Sequence, residues 1–418
     1  SDVYKRQPGD HEDYDRKLKV IALSENNILR WMKQQEHDLT QLRHQLHREP
    51  ELGHAEYKTT RLIRDGLLAC GAEILSCRCD TGVAALIRGG KEGPLIALRE
   101  DIDALPITEN TGLPFASCTA GVSHSCGHDI HTAALLGCAQ YLCENRSALR
   151  GSVMLIFQCA EECCDGAMTM LDAGLFDVYR PERVLGFHCA PSLPLGKVGV
   201  CRGAGNASCD TVTLRVIGRG GHGAHPELCV DPVLIAAYLL TQVQTVISRE
   251  KSPAAPSVLT FGTIHGGTAP NVIPNEVVLQ GTLRTFSKQV RSSHKAAIER
   301  IAVCCAQAMN GSCEVRFEKG MPPLINAKDS SDAVVRAAEQ VLGETAVDES
   351  IAPSLGSDDF SCLLDECGGE GVQFLVGTGD ESVPNSMLGL HVAENIFPDA
   401  AIVSAAAVLA QVAVNILK

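Results

Sequence analysis

The sequence predicts an α/β fold: a mostly parallel sheet flanked by helices, with a smaller α+β unit inserted into it. Three observations carry this prediction. Short apolar runs alternate with helical periodicities through the first half of the chain. Acidic or imidazole residues follow several of these runs, at the place where open α/β sheets put their sites. Near residues 203–208 the pattern changes to strand, Gly-rich turn, helix, two strands, helix and strand, and the alternation of the first half resumes after Pro322 and Pro323.

Length and composition agree. A chain of 418 residues exceeds one compact core, so two domains are expected. The formal net charge of −14 argues against nucleic acid and anionic membranes as partners. Nineteen cysteines, odd in number and scattered through apolar stretches, read as free thiols of a cytoplasmic protein. A cysteine-rich redox or iron–sulfur protein, suggested by Cys163 and Cys164, is the reading from another class, but no Cys-x-x-Cys run supports it. Residues 1–25 are read as an N-terminal extension, in part artefactual; residues 1–7 lack the apolar run of a secretory leader. Residues 400–417, rich in Ala and Val, read as a packed C-terminal helix and not as a membrane span.

Taken in order, residues 26–51 place Ile28, Leu29, Trp31, Met32, Leu39, Leu42 and Leu46 at helical spacing, with His37, His44 and His47 on the solvated side. A second helix covers 56–69 and stops at Gly71. Strands are expected over 83–87 and 94–98, the latter delivering Arg99, Glu100, Asp101 and Asp103. Residues 121–133 hold Cys126, His128, Asp129 and His131, and read as a loop entering a helix over 132–144. Strand 152–157 leads to Glu161 and Glu162, and strand 184–187 carries His188 at its tip. The inserted unit has strands 211–217, 258–265, 277–286 and 313–317, with helices 232–248 and 293–309. Helix 333–342, acidic loop 353–360, strand 372–377, a loop with His391 and the C-terminal helix complete the chain.

Cys126 and His128 flank the small Gly127, so both can face one pocket as metal ligands. A buried cysteine beside a capping His–Asp pair is the reading without a metal. Adjacent acids at a strand end are costly unless cations neutralise them, which favours the metal. Cys126, His128, Glu162, His188 and His391 exceed one tetrahedral site and suit two divalent ions roughly 3.5–4 Å apart. Glu161 then stays free as general base, an arrangement for amide hydrolysis without a Ser or Cys nucleophile.

With these residues in place, the chain resembles the metal-dependent amidohydrolases: aminoacylases, hippurate hydrolases, auxin-conjugate hydrolases and related carboxypeptidases. The matching stretches are 99–106, 123–133, 157–162, 186–188, 220–226, 271–274 and 281–285. The resemblance implies a di-metal catalytic domain over 26–206 and 321–418, and an inserted lid and dimerisation domain over 207–320. It implies the five ligands and the base named above, with Asp101 as an acid behind the metals. It further implies His222 at a substrate carbonyl, and Asn271 and Arg284 at the substrate's carboxylate or oxyanion. The expected substrate is a small N-acyl amino acid, with a dipeptide as the alternative. The expected ions are zinc or manganese, with cobalt or nickel also accepted, and the expected assembly is a homodimer or higher homo-oligomer. The chain departs from the family pattern at Asp358, where Glu is common, at Val392 and Ala393 after His391, at Ala400 and Ala401, where an acid is usual, and at Cys159, where Pro is usual.

Overall fold

A computed structural model describes residues 27–418; the 1–25 extension lies outside the described residues. Helix Asn27–Arg48 buries Ile28, Met32, Leu39 and Leu46, the stripe its periodicity predicts. Helix Tyr57–Cys70 ends at Gly71, whose backbone is left-handed.

The larger sheet has eight strands. Their spatial order is Glu73–Ile74, Val83–Arg88, Arg150–Gln158, Lys91–Asp101, Arg183–Pro194, Gly371–Gly379, Val198–Gly199 and Val347–Asp348. Lys91–Asp101 runs parallel to both Arg150–Gln158 and Arg183–Pro194, and Gly371–Gly379 runs parallel to Arg183–Pro194. The central strands carry apolar runs, at 95–98, 153–157 and 184–185, because helices cover both faces. One face packs against helices Asn27–Arg48, His128–Glu144, Lys328–Leu342 and Ala400–Ile416. Helices Gly166–Asp172 and Phe360–Glu366 pack on the other.

Four antiparallel strands make a second sheet, in the order Ser257–Gly266, Glu276–Thr285, Cys209–Ile217 and Ser312–Met321. Cys209–Ile217 alternates, sending Val212, Leu214 and Val216 into a core of their own beneath helices Pro232–Val243 and Lys288–Ala308. Its opposite face is charged, with Arg215 bonded to Glu276 and Glu314.

Four expectations need correction. The helix of the Cys126 segment begins at His128, not at residue 132, because Gly127 turns the chain directly into it. His188 lies inside Arg183–Pro194, which continues through residues that read as loop. The expected helix over 232–248 breaks at Gln244 into Pro232–Val243 and Thr245–Arg249. His47 is buried, not solvated, because the polar side of its helix meets acids of the protein itself.

Candidate metal centre

The site gathers at the carboxyl ends of three neighbouring parallel strands. Lys91–Asp101 delivers Asp101 and then Asp103, Arg150–Gln158 leads into Glu161 and Glu162, and Arg183–Pro194 supplies His188. Helix His128–Glu144 adds His128 in its first turn. Gly127 has φ +89°, and a Cβ there would press on Cys189 Sγ at 3.1 Å and Phe397 at 3.3 Å. The turn therefore requires glycine, and it lets Cys126 and His128 face one pocket. His391, also left-handed with φ 62°, is held beside the Cys126 segment by its N–H to the Ser125 carbonyl at 2.9 Å.

The five expected ligands and Glu161 come together. Ligand atoms of Cys126, His128 and His188 lie within 4.8 Å of one another, as do those of Cys126, Glu162 and His391, and those of His128, Glu161 and Glu162. Cys126 Sγ is 3.5 Å from His188 Nε2. Glu162 Oε1 is 3.3 Å from His391 Nε2 and 3.9 Å from His128 Nε2.

Neighbouring groups aim the imidazoles. His128 Nδ1–H donates to the Asp103 carbonyl at 3.0 Å, and His188 Nδ1–H donates to the Cys189 carbonyl at 2.8 Å. These bonds use the Nδ1 atoms and leave both Nε2 atoms facing the cluster, where each would offer its lone pair to a bound ion. Among the described residues, buried His128 Nε2 and Glu162 Oε1 meet only loose ion-pair contacts: each other at 3.9 Å, His391 Nε2 at 3.3 Å from Glu162 Oε1, and Asp101 Oδ1 at 3.5 Å from His128 Nε2. A buried polar atom left without a good hydrogen bond costs up to about 1–3 kcal/mol, and a cation between the two would offset that cost.

The charges point the same way. Burial, then the nearby Asp358, Asp359, Glu162 and Asp101, push the Glu161 carboxyl well above its usual range. Burial, then Glu162 and Glu161, push up the Cys126 thiol. Burial disfavours charge on His128, yet Asp101 and Asp103 outweigh it and raise the ring to about 10. All three shifts report a pocket short of positive charge, which divalent cations would supply. The donor set of one thiolate, three imidazoles and a carboxylate fits such ions.

A second layer supports this group. Asp101 Oδ1 accepts from His131 Nδ1 at 2.6 Å, while His131 Nε2 accepts from the Cys189 N–H at 3.0 Å. Asp101 Oδ2 accepts from buried Arg99 at 2.9 Å, and Arg99 also reaches Asp359 at 3.1 Å. Asp358 accepts from the Phe360 N–H at 2.8 Å and from Gln373 at 2.5 Å. Sequence reading did not single out Asp103. It lies 3.3 Å from His128 Nδ1 through Oδ1 and takes the Glu162 N–H at 3.0 Å through Oδ2, so it sets two expected ligands at once. Its Asp-Ile-Asp spacing from Asp101 was the available signal. Asp129, within the same motif, faces away and bonds Arg43 and His47.

The inserted unit's residues stand apart from the cluster. His222 is exposed on the short strand Gly221–His222, which pairs with Val272–Ile273 just after Asn271. Its Nδ1 accepts from the Ala224 N–H at 3.1 Å, and none of its described contacts is with the Cys126 group. Arg284 donates to Ser357 Oγ at 2.9 Å and so reaches the acidic loop of the larger unit.

Fold and site together define a metal-dependent amide hydrolase. The chain belongs to peptidase family M20/M25/M40, which matches residues 97–415. It is 39% identical to an N-acetyl-L-cysteine deacetylase of Bacillus subtilis, over 84% of this chain and 83% of that one. It is 33% identical to a hippurate hydrolase of Campylobacter jejuni, over 91% of this chain and 97% of that one. A solved structure, the Bacillus subtilis YXEP protein described as a dinuclear metal binding peptidase, is similar with a TM-score of 0.79 and 32% identity, over 92% of this chain and 99% of that one.

Proposed function

We propose that this chain cleaves the amide bond of N-acyl amino acids, releasing a carboxylic acid and a free amino acid. The observation that carries the reading is the convergence of the Cys126, His128, Glu162, His188 and His391 ligand atoms in one pocket, with Glu161 beside them. Relatives named for N-acetyl and hippurate substrates support the substrate class.

Cys126, His128, Glu162, His188 and His391 would hold two divalent ions, which polarise a scissile carbonyl and acidify a water. Zinc suits the thiolate best; manganese, cobalt and nickel suit the remaining donors. Glu161 takes the water's proton and returns it to the leaving nitrogen. Asp103 and Asp101 keep the imidazoles in register. Residues 26–206 and 321–418 form the catalytic domain, and 207–320 the lid. His222 stabilises the developing oxyanion, while Asn271 and Arg284 hold the carboxylate end, Arg284 through a two-pronged guanidinium. On this reading the protein works in the cytoplasm as a homodimer or higher homo-oligomer. Among the described residues no helix is long and apolar enough to cross a membrane.

The test is a substrate panel: hippurate and N-acetyl amino acids against unblocked dipeptides, with zinc or manganese supplied. Faster turnover of the acylated compounds is expected. Preference for dipeptides would replace this reading with the dipeptidase or carboxypeptidase one, which the YXEP protein's description as a peptidase favours.

A further inference from the structure

We propose that His54, Cys163 and Asp165 form a separate cation site, beside the Cys126 group but sharing no residue with it, for a thiophilic divalent ion such as zinc. His54 Nε2 lies 2.7 Å from Asp165 Oδ1, and ligand atoms of all three residues lie within 4.8 Å of one another. The side chains of His54 and Asp165 are 44% and 51% exposed, so the ion would keep an open position toward water. One imidazole, one thiolate and one carboxylate make a zinc-type donor set. Tetrahedral ligands at about 2.0–2.3 Å from an ion lie roughly 3.3–3.8 Å apart, so small side-chain movements complete the triangle.

A plain surface ion pair between His54 and Asp165 would be worth little. Two features take the cluster beyond that. First, the backbone makes room for the sulfur. A Cβ on Gly53 would stand 2.6 Å from Cys163 Sγ and 3.1 Å from Ala160 Cα, so a larger residue there would displace the sulfur from its present position. Second, both turns are pinned to the catalytic strand ends. Leu52 bridges to Ala104, and the Ala104 N–H donates to the Glu51 carbonyl at 2.8 Å. On the other side the Cys164 N–H donates to the Glu161 carbonyl at 2.7 Å, and the Gly166 N–H to the Ala160 carbonyl at 3.2 Å. The backbone that carries the three donors is therefore fixed before any ion arrives, and only side-chain rotations remain to be ordered on binding, which lowers the entropic cost. An ion here would join the turn after Leu52 to the turn after Glu162.

The experiment is equilibrium dialysis of the full chain against zinc, followed by metal analysis, with circular dichroism as the check on folding. The parent chain is expected to bind one more equivalent than His54→Ala, Cys163→Ser or Asp165→Asn, while Cys164→Ser keeps the parent count. Equal counts in the parent and the three variants would overturn the site. A cobalt titration separates it from the main centre: Cys126→Ser should retain thiolate-to-cobalt absorption, and adding Cys163→Ser should abolish it. Absorption unchanged by the second substitution, or absent before it, would also overturn the site. Neither readout depends on turnover, so failure here and failure of the proposed function are distinguishable.

Discussion

At the scale of single residues, Asp103 touches two of the five expected ligands at once. Asp103→Ala removes the acid beside His128 Nδ1 and the acceptor of the Glu162 N–H. Loss of such support typically costs about 10–100-fold in metal affinity, and competition with a chelator will measure it. His131 supplies a second prediction. Its Nδ1–H donates to Asp101 and its Nε2 accepts from Cys189 N–H, so a doubly protonated ring would lose the latter bond. Burial holds the ring down to about 4. An unfolded histidine titrates near 6.5, so the unfolded chain takes up a proton that the folded one refuses. Stability of the metal-free protein should fall between pH 6.5 and about 4 by up to ~1.4 kcal/mol per unit from this group. His131→Asn should show a shallower fall in urea midpoint over that range; equal slopes would refute the assignment. The ligand-type residues were legible in the sequence because they carry their chemistry in their residue type: Cys126 and His128 flank a small glycine, and Glu162 and His188 lie near apolar strand ends. Asp103 was not, because its role depends on which way the chain turns after the strand, and acidic loops commonly do no more than meet solvent.

Among the elements, the first helix meets expectation on one side and departs from it on the other. Its apolar stripe packs as its periodicity requires, but the residues opposite do not all face water. Arg43 bonds Asp129 at 2.6 Å and Asp399 at 2.7 Å, and His47 bonds Asp129 at 2.7 Å. Periodicity separates polar from apolar positions; it does not say whether water or another acid receives the polar ones. This network fixes the helix that begins at His128 through the second residue of its first turn. Arg43→Met leaves Asp129 buried with only His47 as counter-charge, and should cost about 3–5 kcal/mol in the urea unfolding free energy. The expected helix start at residue 132 fails for a related reason. Gly127 has the residue type of a loop, whereas its left-handed backbone is the turn that launches the helix. Gly127→Ala should reduce bound metal by displacing Cys126 and His128 together, and metal analysis of the folded variant checks this.

For the whole molecule, the alternation of strand and helix, and its interruption, were legible because each unit closes its own core. The relation of His222 and Asn271 to the centre was not, because no periodicity records how two separately packed units face one another. The smaller unit exposes Val233, Leu234 and Tyr238 on one helix, at 46%, 52% and 53%. Under the dimer reading these residues are covered by a second copy, so Leu234→Glu should shift the protein to monomer in sedimentation velocity. A parent protein that already sediments as a monomer would remove that reading without touching the catalytic one. The central claim is that Glu161 moves the proton in a reaction supported by ions on the five ligands. The most direct measurement is turnover of an N-acyl amino acid by Glu161→Gln at a metal content matched to the parent chain. A loss of about 10²–10⁴-fold with metal retained is expected. Near-parental turnover would contradict the account.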